Sequence, residues 1–457
     1  MTPPTRALPA SARMRSFFAL SLGAAVLLSG CDAFGSKDDA TTDEIFEQGE
    51  IDPTLVDDVG YVPLLPFYTT TLATGGGFDT PLDVAVGFDE LLYVPDLNGL
   101  HVLDLAGRPR ALITEVGGQE LRFVRRDGTP SLGGALGGPQ ASVVQDRRLH
   151  LYLTARRDTV IGGVSWDLPV VYHLSTLAST PVTVEDIIWY PFDDPTRQTG
   201  PFAVPRVLDN GISDEQVDFT GVGVLPDNSV YVARRGAFNS RTLDGRPDFV
   251  DPTNAVLRYS PDGQTVANLS LGATQADRTS SVFPSDVITL VTPPQSTSIP
   301  MDNVDLFIAQ RPPNGTLENS VVALNGVVDP VAGLQFLPNT ALTGSVSDPE
   351  AGDGFLFEPA KFAGVTDLAI GRDAAGLLFV TDEVKDSLFV FNPNGVEGVT
   401  LSTTGSLRPV PVSFGGEGDG PNQFIDPQGV TYLDRTVYVA DTGNNRISRF
   451  RLNTDFE

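Results

Sequence analysis

Residues 413–452 read SFGGEGDGPNQFIDPQGVTYLDRTVYVADTGNNRISRFRL. A Gly-rich turn (Gly415, Gly416, Gly418, Gly420) leads to Pro427 and a short apolar strand, Gly429–Leu433. Asp434-Arg435 turns the chain tightly into a second strand, Val437–Ala440. Asp441-Thr442-Gly443-Asn444-Asn445 then turns it into a third, Arg446–Leu452. Short runs of β-branched and aromatic residues bounded by Gly, Pro, Asn and Asp read as strands of an antiparallel sheet. One such unit cannot bury both of its faces and needs neighbours of its own kind.

The stretch GDGPNQFIDPQGV, followed by VYVADTGNNRI, closely resembles the NHL repeat, a family whose copies pack radially as the blades of β-propellers. The resemblance implies a shape and leaves the ligand open. Weaker copies lie upstream. The second-strand pattern, an aromatic residue flanked by β-branched residues or Leu, recurs at Leu92–Asp96, Leu151–Ala155, Val230–Arg234, Leu306–Gln310, Leu378–Asp382 and Val437–Asp441. Each copy follows a first strand: Asp83–Val86, Ser142–Val144, Gly221–Leu225, Asp286–Val291, Asp367–Ile370 and Gly429–Leu433. Each precedes a third: Leu100–Leu105, Val170–Leu177, Ala255–Tyr259, Ser320–Leu324, Ser387–Phe391 and Arg446–Leu452. Ordered triplets of this kind argue against a β-sandwich. The fold class expected is an all-β, six-bladed β-propeller over 61–457.

The aromatic anchors are 59, 79, 76, 72 and 59 residues apart, starting from Tyr93. A compact blade needs roughly 40–50 residues, so insertions are expected at 179–218, 236–253, 292–302 and 328–361. They are rich in Pro, Gly, Asp and Thr, as surface loops are. A seventh blade in 179–218 or 328–361 would lack the aromatic second strand. The last repeat stops after its third strand. The β-rich run Phe67–Ala73 leads into Gly75-Gly76-Gly77 and Pro81, the Gly-then-Pro order of the last repeat, and is the expected outer strand that seals the ring.

At the N-terminus, Arg13 and Arg15 precede an apolar run, Ser16–Gly30, that ends Leu28-Ser29-Gly30-Cys31. The run is short for a membrane span and reads as a secretory signal, 1–30. Leu-Ser-Gly-Cys resembles the bacterial lipobox, whose Cys is acylated after cleavage. Cys31 is the single cysteine, and lipidation is its expected role. Residues 32–60 carry ten acidic side chains against Lys37 and read as a self-repelling tether. The location expected is the bacterial cell envelope, with the chain anchored to a membrane and facing the periplasm or the exterior.

The formal net charge of −28 becomes −31 when residues 1–30, with their three arginines and no acid, are removed. Such a chain repels nucleic-acid phosphates. Nucleic acid is excluded as a partner; an envelope protein or a small ligand, bound by a monomer, is expected instead.

Three histidines, His101, His150 and His173, fall in two adjacent repeats at non-equivalent positions. Zinc needs at least three converging ligands, and nothing in the spacing brings these three together. No GxSxG elbow is present, and the Gly-rich turns precede strands rather than phosphate-binding helices. If the repeats superpose, Asp83, Ser142, Gly221, Asp286, Asp367 and Gly429 stand at the entries of the first strands, which line a propeller's channel. Asp83, Asp286 and Asp367 are then a candidate metal set whose hard oxygens suit Ca²⁺; no other cofactor is expected. The propeller lactonases of the gluconolactonase type resemble this arrangement in having an axial metal. The alternative role of each Asp is to cap local backbone N–H groups. A second ring, Asp96, Ala155, Arg234, Gln310, Asp382 and Asp441, ends the second strands, where Asx turns are expected. The leading expectation is a lipid-anchored scaffold that binds through its inserted loops, with Trp189 and Tyr190 as candidate contact aromatics. The second is a Ca²⁺-dependent hydrolase or lyase working in the channel.

Overall fold

The first strand of the chain, β1 (Tyr61–Pro63), belongs to the last sheet. The computed structural model describes residues 59–69, 77–129, 138–161, 163–176, 183–188, 214–236, 254–259, 266–269, 283–289, 305–311, 320–331, 333–339, 361–371, 375–399 and 409–455, with Leu356 and Asp373. Cys31, the tether up to residue 58, Trp189 and Tyr190 lie outside these residues.

Six four-stranded antiparallel sheets follow one another along the chain. Blade 1 is β2 (Ala85–Val86), β3 (Leu91–Asp96), β4 (Gly99–Asp104) and β5 (Pro109–Ile113), followed by a small hairpin, β6 (Glu115–Val116) and β7 (Gln119–Glu120). Blade 2 is β8 (Val143–Gln145), β9 (Leu151–Ile161), β10 (Val164–Thr176) and β11 (Thr183–Ile188). Blade 3 is β12 (Asp218–Val224), β13 (Val230–Arg235), β14 (Ala255–Tyr259) and β15 (Val266–Asn268). Blade 4 is β16 (Pro284–Thr289), β17 (Asp305–Gln310), β18 (Val321–Asp329) and β19 (Gly333–Pro338). Blade 5 is β20 (Val365–Ile370), β21 (Leu378–Asp382), β22 (Ser387–Phe391) and β23 (Phe414–Gly415). Blade 6 is β24 (Pro427–Leu433), β25 (Thr436–Asp441), β26 (Arg446–Leu452) and β1. The first strands touch in ring order, β2, β8, β12, β16, β20, β24 and back to β2. This is the six-bladed propeller expected from the repeats.

The second strands explain the aromatic signature. β13, β21 and β25 are buried along their whole length. Each lies mid-blade, with a neighbouring blade against either face, so both sets of alternating side chains leave water. Such strands are nearly continuously apolar rather than alternating.

The first strands of four blades share a β-bulge at one place. The register with the second strand shifts between Phe219 and Gly221, Pro284 and Asp286, Val365 and Asp367, and Pro427 and Gly429. The bulged residue can then reach sideways. Thr220 Oγ1 donates to the Pro284 carbonyl (3.1 Å), Ser285 Oγ to Val365 (2.7 Å), and Thr366 Oγ1 to Pro427 (2.9 Å). Each is a hydroxyl of one blade clasping the backbone at the start of the next.

The ring closes on its last blade, but six residues upstream of the expected strand. Tyr61, Val62 and Pro63 pair with Leu452, Arg451 and Phe450. Within 67–73, Tyr68 makes an isolated bridge to Ile447, bonded in both directions (3.0 and 2.8 Å); residues 70–73 lie outside the described residues. Side-chain anchoring selects this register. Tyr61 packs on Phe379 and Phe414, while Arg449 lies over the Tyr68 ring at 4.2 Å.

Two hairpins run longer than their repeats suggest. β10 starts at Val164 rather than Val170, and the β9–β10 hairpin projects beyond the blade. Within 328–361, read as an insertion, β19 is the outer strand of blade 4.

Candidate functional site

The entries of the first strands meet on the ring axis. Asp83, Ser142, Asp286 and Asp367 separate a cavity of about 100 Å³ from one of about 10 Å³ on the other side. The three carboxyls that sequence alignment placed in one opening are brought together there.

What they bond to follows a rule. Asp83 Oδ1 accepts its own following amide, Val84 N–H (2.6 Å), and Oδ2 accepts Val143 N–H of the next blade (2.8 Å). Asp367 repeats this with Leu368 and with Val430 of the next blade (2.6 Å each). Ser142 Oγ accepts Val222 N–H of blade 3 (3.2 Å). At the two glycine positions the next blade's Asp fills the space instead. A Cβ on Gly221 would stand 2.5 Å from the Asp286 Cα, and one on Gly429 would stand 2.6 Å from the Asp83 Cα. The ring positions are therefore inter-blade fasteners.

Asp286 varies the rule. Its Oδ1 receives the Ser142 hydroxyl at 3.4 Å, and its carboxyl is also hydrogen-bonded to that of Asp367. Burial pushes its pKa up to about 7, with the Asp83 charge adding to the rise. Burial, and then the charge of the neighbouring carboxyl, also hold Asp83 and Asp367 well above the usual carboxylate range. Three carboxyls crowded into one constriction cannot all ionise at little cost.

The second ring is architectural. Asp96 accepts the amides of Asp79, Thr80 and Asn98. Asp382 accepts those of Ala363, Gly364, Val384 and Lys385. Asp441 binds Ile425 N–H, Asn444, Ser448 and Arg446. Arg234 and Arg235, at the end of β13, are both buried, and Arg235 Nη2 donates to the Arg311 carbonyl.

The histidines divide. His101 is buried beside Asp96 (3.8 Å) and Phe78. His150 and His173 meet, with 3.0 Å between Nδ1 and Nε2, and Asp146 is beside them. The sequence reading missed this pairing and did not consider Asp146. The signal was present in the sequence pair Gly162-Gly163 between two alternating runs, a composition that favours a two-residue hairpin; in the structure Ile161 pairs with Val164 and hence Tyr152 with His173.

A larger space lies off the axis. A cleft of about 530 Å³ is lined by Arg125, Arg126, Asp127, Arg156, Asp167, Glu215 and Gln216 at the projecting part of the β9–β10 hairpin. Arg156 bridges Asp167 (3.3 Å) and Asp218 (2.6 Å), and Arg122 and Arg126 both reach Asp158. These pairs hold segment 122–126 against the hairpin.

The family model for the NHL repeat matches residues 424–450, the part of blade 6 that carries β24, β25 and most of β26. No curated protein matches the sequence. Among solved structures, the chain is similar to an auxiliary nutrient binding protein from Bacteroides thetaiotaomicron (11% identity, 86% of this chain and 76% of that one, TM-score 0.45). It is also similar to a gluconolactonase from Xanthomonas campestris (11%, 86% and 97%, TM-score 0.39) and to a streptogramin B lyase (10%, 86% and 97%, TM-score 0.38).

Proposed function

We propose that the chain is a cell-envelope lipoprotein, anchored through an acylated Cys31, whose propeller is a rigid scaffold presenting a binding face to an envelope protein or a small ligand. The observation that carries this reading is where the space lies. The channel is pinched at carboxyls bonded to backbone amides, whereas the cleft of about 530 Å³ sits off the axis among ion-paired arginines and acids. Ligand sites are concavities, and this one, lined by charged and polar side chains alone, suits a polar or charged ligand. The acidic tether lifts the ring off the membrane, and the net charge of −28 turns nucleic acid away.

Two measurements test it. Fatty-acid labelling in cells should mark the wild-type chain and not Cys31→Ala; label on that variant sinks the anchor. A photo-crosslinking side chain placed at position 126 should capture one discrete envelope species, whereas the same group at the exposed position 331 should capture none. Equal capture from both positions overturns the binding face.

A second reading rests on the three carboxyls that meet on the axis. A cluster of hard oxygens fits a divalent cation such as Ca²⁺, and Asp83, Asp286 and Asp367 would hold it. Bound there, Ca²⁺ would supply a Lewis acid to a hydrolase or lyase. This reading requires that Ca²⁺ raise the melting temperature of the wild type and leave that of Asp286→Asn where it was.

A further inference from the structure

We propose that Asp146, His150 and His173 form a binding site for one divalent transition-metal ion of the zinc class, separate from the channel. The strand geometry builds it. His150 immediately precedes β9 and alternates with Tyr152, so the two share a face. His173 of β10 stands directly opposite Tyr152 and is therefore the diagonal neighbour of His150. The Tyr152 ring stacks on His173 at 4.4 Å with an 11° interplanar angle, which fixes the imidazole plane. Asp146 caps the turn between β8 and β9: its carboxylate accepts the amides of Arg148 (2.8 Å) and His150 (2.9 Å). One ligand atom from each of the three residues lies within 4.8 Å of the others.

The donor set selects the ion. Two imidazole nitrogens and one carboxylate suit Zn²⁺, Co²⁺ or Ni²⁺, whereas Ca²⁺ and Mg²⁺ prefer oxygen throughout. In a tetrahedral zinc site with bonds of about 2.05 Å, two nitrogens stand about 3.4 Å apart. The 3.0 Å contact between His150 and His173 is a hydrogen bond; a metal ion would replace its shared proton, with a small ring rotation opening the nitrogens to that separation. Three protein ligands leave a position open for water or an outside ligand. The chain contains three histidines in 457 residues, and two of them meet here. The overall negative charge concentrates cations at the surface.

Arg148 is the built-in competitor. Its Nε lies 3.2 Å from Asp146 Oδ2, and its side chain is half exposed. It can swing into water when a metal takes the carboxylate, so the arginine guards the site without blocking it.

Titration of the full chain with Co²⁺, followed by its visible d–d absorption, tests the assignment. One equivalent should saturate the wild type, and Zn²⁺ should displace it. His150→Ala should weaken binding more than about tenfold, since even outer-shell changes at metal sites cost that much, and Arg148→Ala should tighten it. Asp367→Asn, in the channel, should leave the band unchanged. His173 is buried and His150 only half-buried, so the ligand substitution is made at His150. Absence of a band in the wild type, an undiminished band in His150→Ala, or its loss in Asp367→Asn overturns the proposal.

Discussion

Thr442 Oγ1 donates a 2.7 Å hydrogen bond to the Pro81 carbonyl, joining residues 361 positions apart. It is the closing member of the series made by Thr220, Ser285 and Thr366. Blade 6 needs a substitute because Gln428 stands at its bulge, with Nε2 bonded to Glu383 of blade 5 instead (2.5 Å). A part-buried bond of this kind contributes about 1 kcal/mol. Thr442→Val is therefore expected to lower unfolding stability by about that much in chemical denaturation. A variant indistinguishable from wild type would show that the ring is held elsewhere.

Tyr68 is the larger latch. Its hydroxyl donates to the Leu105 carbonyl of blade 1 (2.6 Å) and accepts from Arg449 of blade 6 (2.9 Å), while the same guanidinium lies over its ring. Tyr68→Ala opens a cavity at the seam and is expected to cost about 3–5 kcal/mol. Tyr68→Phe keeps the ring and should cost about 1 kcal/mol. Thermal melts of the pair separate packing from bonding, and equal losses would refute the packing account.

The channel carboxyls make stability depend on pH in an unusual sense. The folded-state pKa of Asp286 is raised to about 7, so the native state holds this proton more tightly than the unfolded chain does. Its contribution is fully present below the ordinary carboxylate pKa and is lost as pH rises to about 7. Asp286→Asn removes its share of the dependence, while Asp83 and Asp367, also raised, keep theirs. Measured against wild type, the variant should gain stability between pH 4 and pH 8, by at most on the order of 4 kcal/mol. A difference that stays constant across this window would mean that Asp286 is not protonated in the fold.

Gly221 and Gly429 are required by space. A Cβ at 429 would also stand 2.8 Å from the Val84 amide nitrogen, and one at 221 would stand 2.7 Å from that of Val287. Both obstacles are backbone and cannot rotate away. Each Gly→Ala substitution is expected to destabilise by about 1–3 kcal/mol or more, whereas Gly163→Ala, with open space around the site but a φ of +84°, bears only local strain. Denaturation midpoints of the three variants check the order.

The inner three strands of every blade were legible in the sequence, and β14, β21, β22 and β26 begin and end where their residues predicted. Their signal is strong because both faces are buried and Asp or Asn turns bound them. The outer strands of blades 1, 2, 3 and 5 were not legible: β5, β11, β15 and β23 are short or mixed in polarity, since one edge of each faces water. That an N-terminal strand completes blade 6 was legible, but its position, six residues upstream of the expected run, was not. The meeting of Asp83, Asp286 and Asp367 followed from superposing repeats alone. The bulges beside Asp286 and Asp367 did not, because a bulge is a property of two strands. The pairing of His150 with His173 was hidden for a related reason: their register is set by the hairpin tip some ten residues away.

The central claim is that the channel carboxyls fasten blades and that binding occurs off the axis. Calorimetric titration of Ca²⁺ into the full chain, wild type and Asp367→Asn, tests it most directly. The account predicts no stoichiometric heat that distinguishes the two proteins. One equivalent of Ca²⁺ bound by the wild type and lost in Asp367→Asn would contradict it and place the working site in the channel.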